Sequence, residues 1–134
     1  MRQSGISSRR LLAIIILTAS GSLAFEAADK PLTPEEARTK VGETITVEMT
    51  VQAAKDRLEK RGEIYLDSET NFRDAKNFAV VITKAGAASL RGAGIDNPAA
   101  HYKDKKIRAT GTVKEVDRVP RIEIDEAKQI MIAE

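Results

Sequence analysis

The chain has 134 residues, 42% of them hydrophobic and 31% charged, the proportions of one folded domain with a short extension. It contains no cysteine, which excludes disulfides, zinc–thiolate sites and thiol nucleophiles and leaves packing alone to hold the fold. The net charge of +2 depends on Arg2, Arg9 and Arg10: without residues 1–24, the 22 basic side chains less these three leave 19 against 20 acidic ones, too even a balance for a general polyanion binder.

Met1 to Arg10 is polar and basic, Leu11 to Leu17 is a compact apolar run, and small residues end at Ser22-Leu23-Ala24. This three-part pattern predicts a signal peptide over residues 1–24, and with it an exported location, periplasmic or secreted. The apolar run is shorter than the ~20 residues a spanning helix needs, so cleavage is expected; an uncleaved segment would be the chain's one membrane attachment. Residues 25–41 read as a leader and a short N-terminal helix. Thr33-Pro34-Glu35-Glu36 is a capping box with proline at the first helical position, and the helix is expected from Pro34 to about Lys40, stopped by Gly42 and plugging one end of the domain.

Residues 42–134 carry the strands. From Thr44 to Gln52, Ile45, Val47, Met49 and Val51 alternate with polar residues, predicting a half-buried strand. Ala53 to Arg61 reads as a charged connection closed by Gly62. Glu63 to Asp67 is a second strand with Ile64 and Leu66 inward and Tyr65 outward, Ser68 to Asn77 a polar loop, and Phe78 to Thr83 a third strand. Alanines and Leu90 at helical spacing predict a short helix from Lys84 to Arg91, ended by Gly92-Ala93-Gly94, and Asp96-Asn97-Pro98 a turn. Lys105 to Val116 and Arg121 to Ile124 alternate on either side of Asp117-Arg118-Val119-Pro120, which predicts a hairpin with a four-residue turn. Gly111 in mid-strand marks a bend or a close backbone approach. Ile130 and Ile132 are expected on a terminal strand.

Three strands, a short helix and a two-strand hairpin is the order of a five-stranded Greek-key barrel. The runs Gly42 to Glu48, Ile64 to Asp67, Phe78 to Ile82, Lys105 to Val113 and Arg121 to Ile124 resemble the small bacterial OB-fold domains of the nucleic-acid-binding, tRNA-anticodon-type group, in their secreted or envelope versions. Asp104 stands where such domains usually carry glycine. The resemblance implies an all-β fold with short helices, closed into a barrel. It also implies a ligand site on strands two and three and on the loops joining strands one to two and four to five.

Carried onto this chain, that region holds Arg57, Lys60, Arg61, Tyr65, Phe72, Arg73, Lys76, Arg118 and Arg121. Aromatic rings among cations suit single-stranded nucleic acid, and an oligosaccharide would use the same surface. Asp56, Glu59, Glu69 and Asp74 interrupt these loops, which keeps open an alternative role as a protein-interaction module of the cell envelope. The expectation is a binding protein without catalytic activity, metal or cofactor. His101, the only histidine, reads as a surface residue. A metal-dependent nuclease would draw on Asp67, Glu69, Arg73 and Asp74, whose spacing matches no motif for calcium-binding carboxylates beside arginines. Gly92 to Gly94 lacks the context of a nucleotide-binding loop.

Overall fold

Residues 30–133 are described by a computed structural model; the expected signal peptide and the leader up to Asp29 lie outside them. The capping box at Thr33 forms, with Glu36 N–H donating to Thr33 Oγ1 at 3.1 Å and Thr33 N–H to Glu36 Oε1 at 3.0 Å. The helix it starts, α1 (Pro34–Ala37), is one turn rather than two. After Arg38 the backbone bonds tighten to i→i+3, Thr39 N–H to Glu36 O at 3.1 Å and Lys40 N–H to Ala37 O at 3.0 Å, which ends the helix; before it, Leu32 lies beside Val47, donating to Thr46 O at 2.8 Å and accepting from Glu48 N–H at 2.9 Å.

The alternation from Thr44 forms β1 (Thr44–Thr50), with Ile45, Val47 and Met49 buried. The stretch that follows corrects an expectation. Ala53 to Arg61 is not a loop: the chain runs on as β2 (Ala53–Arg57) and one helical turn, α2 (Leu58–Arg61), which ends on Gly62 at φ 73° before β3 (Glu63–Asp67). Lysine, aspartate and arginine carry weak strand signals, but β2 is the end strand of its sheet, where charged side chains can face water while β3 supplies the ladder. β4 (Ala79–Thr83) leads directly into α3 (Lys84–Gly92), whose N-cap Thr83 accepts from Gly86 N–H at 3.1 Å and donates to Asp125 Oδ1 at 2.7 Å. The expected turn at Asp96 to Pro98 is the start of a one-turn helix, α4 (Pro98–Tyr102), capped by Asn97. Asp104 takes the left-handed φ of 67° that a glycine would otherwise supply.

β5 (Lys106–Val116) and β6 (Val119–Ile124) form the hairpin, joined by two residues rather than four. Asp117 and Arg118 both have positive φ, 53° and 69°, as a type I′ turn requires, so Val119 and Pro120 belong to β6. Gly111 permits a close approach: a Cβ there would lie 2.7 Å from Ile122 Cγ2. After a 3₁₀ turn, Ala127–Gln129, the terminal strand β7 (Ile130–Ile132) pairs with the first half of β5. Between the stretch of β5 that pairs with β7 and the stretch that pairs with β6, the Gln129 amide bridges the gap. Its Nε2 donates to Thr110 O and Glu123 O, and its Oε1 accepts from Asp125 and Glu126 N–H.

The sheet runs β1-β5-β6-β4-β3-β2, antiparallel except for β4 beside β6. It is open, and the closed barrel expected from the strand order is corrected on this point. Its two ends, β1 and β2, are successive lengths of one stretch of chain and share no ladder with each other. At the joint the backbone bonds elsewhere: Val51 N–H to Lys105 O and Gln52 N–H to Asp67 O, both at 2.9 Å. One apolar core fills the concavity, drawn from every strand but β2, whose half-buried Ala54 packs against it, and including Leu66, Phe78, Val80, Ile82, Tyr102, Ile107 and Ile122.

The opposite face of β3, β4 and β6 is covered by a chain of polar side chains. Tyr65 Oη donates to Glu63 Oε1 at 2.6 Å, Arg121 Nη1 to Glu63 Oε2 at 3.0 Å and Glu123 Oε2 at 3.2 Å, and Lys114 Nζ to Glu123 Oε1 at 3.3 Å. Val81, which the register puts among them opposite Tyr65 and Glu123, has no exposed surface. Burial pushes Glu63 up, but the hydrogen bonds from Tyr65 and Arg121 outweigh it and hold the carboxyl below the usual glutamate range.

Two outcomes follow for stability. A Cβ on Gly86 would sit 2.0 Å from the Ile124 carbonyl oxygen, so Gly86→Ala should cost about 1 to 3 kcal/mol in denaturant unfolding by forcing α3 off the sheet. Glu63 has a depressed folded-state pKa, so its contribution is present above the ordinary glutamate value and is lost as pH falls through the folded value. Glu63→Gln should therefore be less stable than the parent at neutral pH and lose less stability than the parent on acidification, measured as urea midpoints across that range.

Candidate functional site

Register decides which side chains meet. Lys55 lies opposite Tyr65, Arg57 opposite Glu63, and Asp67 opposite Ala79, which in turn neighbours Arg121. All point away from the core. All of these but Glu63, together with Arg61 on α2, Phe72 in the loop from Ser68 to Phe78, and Val116, Asp117 and Val119 of the hairpin, line a cleft of ≈ 280 Å³.

Of the residues expected at a ligand site, Arg57, Arg61, Tyr65, Phe72 and Arg121 line this cleft. Arg73 stands beside it, its guanidinium 5.1 Å from the centre of the Phe72 ring. Lys60 lies instead on a separate shallow depression over α2. Arg118 is exposed at the hairpin tip between two lining residues, and Lys76 is exposed in the loop and lines neither hollow. Lys55 was not among the expected site residues because its stretch read as a connection. The signal for it was present: Lys55 and Arg57 are two apart, which on a strand puts them on one face.

The cations are not equivalent. Arg121 is 11% exposed and held by Glu63 and Glu123. Lys55, Arg57 and Arg61 are exposed and make no ion pair with a carboxylate among the described residues. Lys55 places its ammonium 5.0 Å from the Phe72 ring centre, so that ring, 41% exposed, has two cations beside it. Tyr65 keeps its proton: burial first and the hydrogen bond to Glu63 next push its pKa up.

The loop that carries Phe72 is fastened at its base. Asn77, fully buried, donates from Nδ2 to Asp67 Oδ1 at 3.0 Å and accepts from Glu69 N–H at 2.9 Å; the Arg38 guanidinium donates to its backbone carbonyl, and Ser68 Oγ accepts from Phe78 N–H at 2.9 Å. Asn71 and Asp74 turn the tip by accepting from the backbone of Arg73 and Lys76. Burial pushes the Asp67 carboxyl above the usual aspartate value, against the pull of Asn77 and of the Lys55 charge.

Of the carboxylates considered for a nuclease, Asp67 accepts from Asn77 through Oδ1 and Asp74 accepts within its turn. Among the described residues no group of three or more histidine, aspartate or glutamate side chains is placed to hold a metal ion. His101 is exposed on α4, edge-on to the buried Tyr102 at 4.7 Å between ring centres. Gly94, at φ 95°, follows the end of α3. No helix of the described residues is long and apolar enough to cross a membrane.

No protein-family model matches the chain, and no curated protein matches it in sequence. Solved structures do match. An aspartyl-tRNA synthetase from Entamoeba histolytica superposes with a TM-score of 0.53 at 15% identity, over 94% of this chain and 26% of the synthetase. The asparaginyl-tRNA synthetase from Pyrococcus horikoshii superposes with a TM-score of 0.52 at 11% identity, over 78% of this chain and 23% of that one. The chain spans about a quarter of the length of each enzyme. Together with the strand order, these similarities give the described domain its architecture: an OB-fold, mostly β with a few short helices, in its open form.

Proposed function

We propose that this domain binds single-stranded nucleic acid in the cleft between β2, β3, the Phe72 loop and the β5–β6 turn, and that it does so without catalysing a reaction. The observation that carries the reading is the group of three exposed cations, Lys55, Arg57 and Arg61, free of ion pairs with carboxylates among the described residues and set beside the rings of Tyr65 and Phe72. Phosphates need the first, and unstacked bases need the second. Four cations against two carboxylates line the hollow, so the local field favours an anion although the domain as a whole is near neutral. The two synthetases of similar fold act, by their names, on tRNA, which agrees with a nucleic-acid ligand. The signal-type residues 1–24 support an exported, periplasmic or secreted setting.

Retention of the domain on single-stranded oligonucleotides should fall as salt rises, with a log–log slope of about −2 for three phosphates at ~0.7 each. Phe72→Ala should weaken binding by about 1 to 3 kcal/mol with unchanged melting temperature, and Arg61→Ala should flatten the salt slope. No retention at low salt would remove the nucleic-acid reading. Affinity for a neutral oligosaccharide that is indifferent to salt would replace it.

A further inference from the structure

One group in the cleft is unexplained by contact with phosphates. Asp67 is 3% exposed yet forms part of the lining, between Tyr65 on its own strand and Arg121 across β4. Among the described residues its side chain accepts a single hydrogen bond, from Asn77 to Oδ1, and Oδ2 accepts none. It makes no ion pair with Lys55 or Arg121 among the described residues; Arg121 is engaged by Glu63 and Glu123. An anion-binding hollow has no use for a carboxylate at its floor. A buried carboxylate oxygen with spare capacity gains from a donor N–H and is set back by a second acceptor. The cleft is only ≈ 280 Å³, room on the order of one base with its rim of side chains.

Cytosine and thymine have the same ring and stack alike on Tyr65 or Phe72, but they differ at C4, where cytosine presents an amino donor and thymine a carbonyl acceptor. On the reading that the cleft takes single-stranded nucleic acid, we infer that Asp67 determines specificity within it, accepting a hydrogen bond from a base bearing an exocyclic amino group and disfavouring thymine and uracil. The burial that pushes the Asp67 carboxyl up gives the same direction, since a bound N–H donor relieves it. Asp117, the other carboxylate of the lining, lies at the exposed hairpin tip, where water competes for it.

The test is fluorescence anisotropy at neutral pH with oligo-dC and oligo-dT of equal length on the parent protein and on Asp67→Asn. The parent should bind oligo-dC tighter by between about fivefold and a hundredfold, the range of one good base-edge contact. In Asp67→Asn, whose amide offers a donor as readily as an acceptor, the gap should close to within about twofold. An oligomer of N4,N4-dimethyl-dC, which keeps the ring and lacks the donor, should bind the parent like oligo-dT, a comparison that stands if the variant fails to fold. Equal affinity of the parent for all three strands, or a gap that survives in Asp67→Asn, would overturn the inference and leave the binding reading intact. Binding of no strand would overturn both.

Discussion

The fold rests on the demand placed on β5. Its first half pairs with β1 on one side and β7 on the other, and its second half pairs with β6, so one strand of 11 residues carries three ladders. It must bend where the partners change, and the bend brings Ile122 to within side-chain contact of the backbone. Gly111 removes the Cβ that would occupy that space. Gln129 supplies the hydrogen bonds that neither neighbour reaches, satisfying two carbonyls that would otherwise be stranded at the seam. The apolar face of β5, Ile107, Ala109 and Val113, then lies against the core from end to end.

The same bending sets the outer face apart from the rest of the surface. β2, β3, β4 and β6 form one continuous surface on which Glu63, Tyr65, Arg121 and Glu123 pair among themselves and cover Val81. That network ties the polar ends of Tyr65 and Arg121 to carboxylates and so holds the part of the cleft wall they form. The cations left over stand at its rim on β2 and α2, exposed and without an ion pair to a carboxylate among the described residues. A mostly buried, doubly paired arginine and three water-facing cations thus line one cleft, and their roles differ because their surroundings do.

Much of the architecture was legible because alternation is a strong signal where a strand buries one face. Ile45-Val47-Met49, Ile64-Leu66, Val80-Ile82 and Ile107-Ala109-Val113 announced both the strands and their inward sides, and Gly111 announced a close approach. β2 was hidden because an end strand with both faces near water has no apolar rhythm, and its extension depends on hydrogen bonds from β3 that no local pattern records. Two of the site's features were hidden with it. Lys55 was not among the expected residues, and Arg121, expected at the ligand site, is held by Glu63 from 58 residues away as well as by Glu123 two residues along its own strand. The two-residue turn was obscured by Arg118, which occupies a backbone region where glycine is the usual indication. The open sheet has a similar origin: strand order predicts neighbours, and it does not say whether the last neighbour is also the first strand's continuation.

The Gln129 amide bears on where the folding unit stops. Its four bonds join the wall on either side of the seam, and Ala127 N–H, two residues earlier, donates to Ser89 Oγ on α3 at 2.8 Å. The residues beyond Asp125 are therefore a keystone and not a trimmable tail: shortening the chain there would unlatch the helix and unzip the wall from its middle outward.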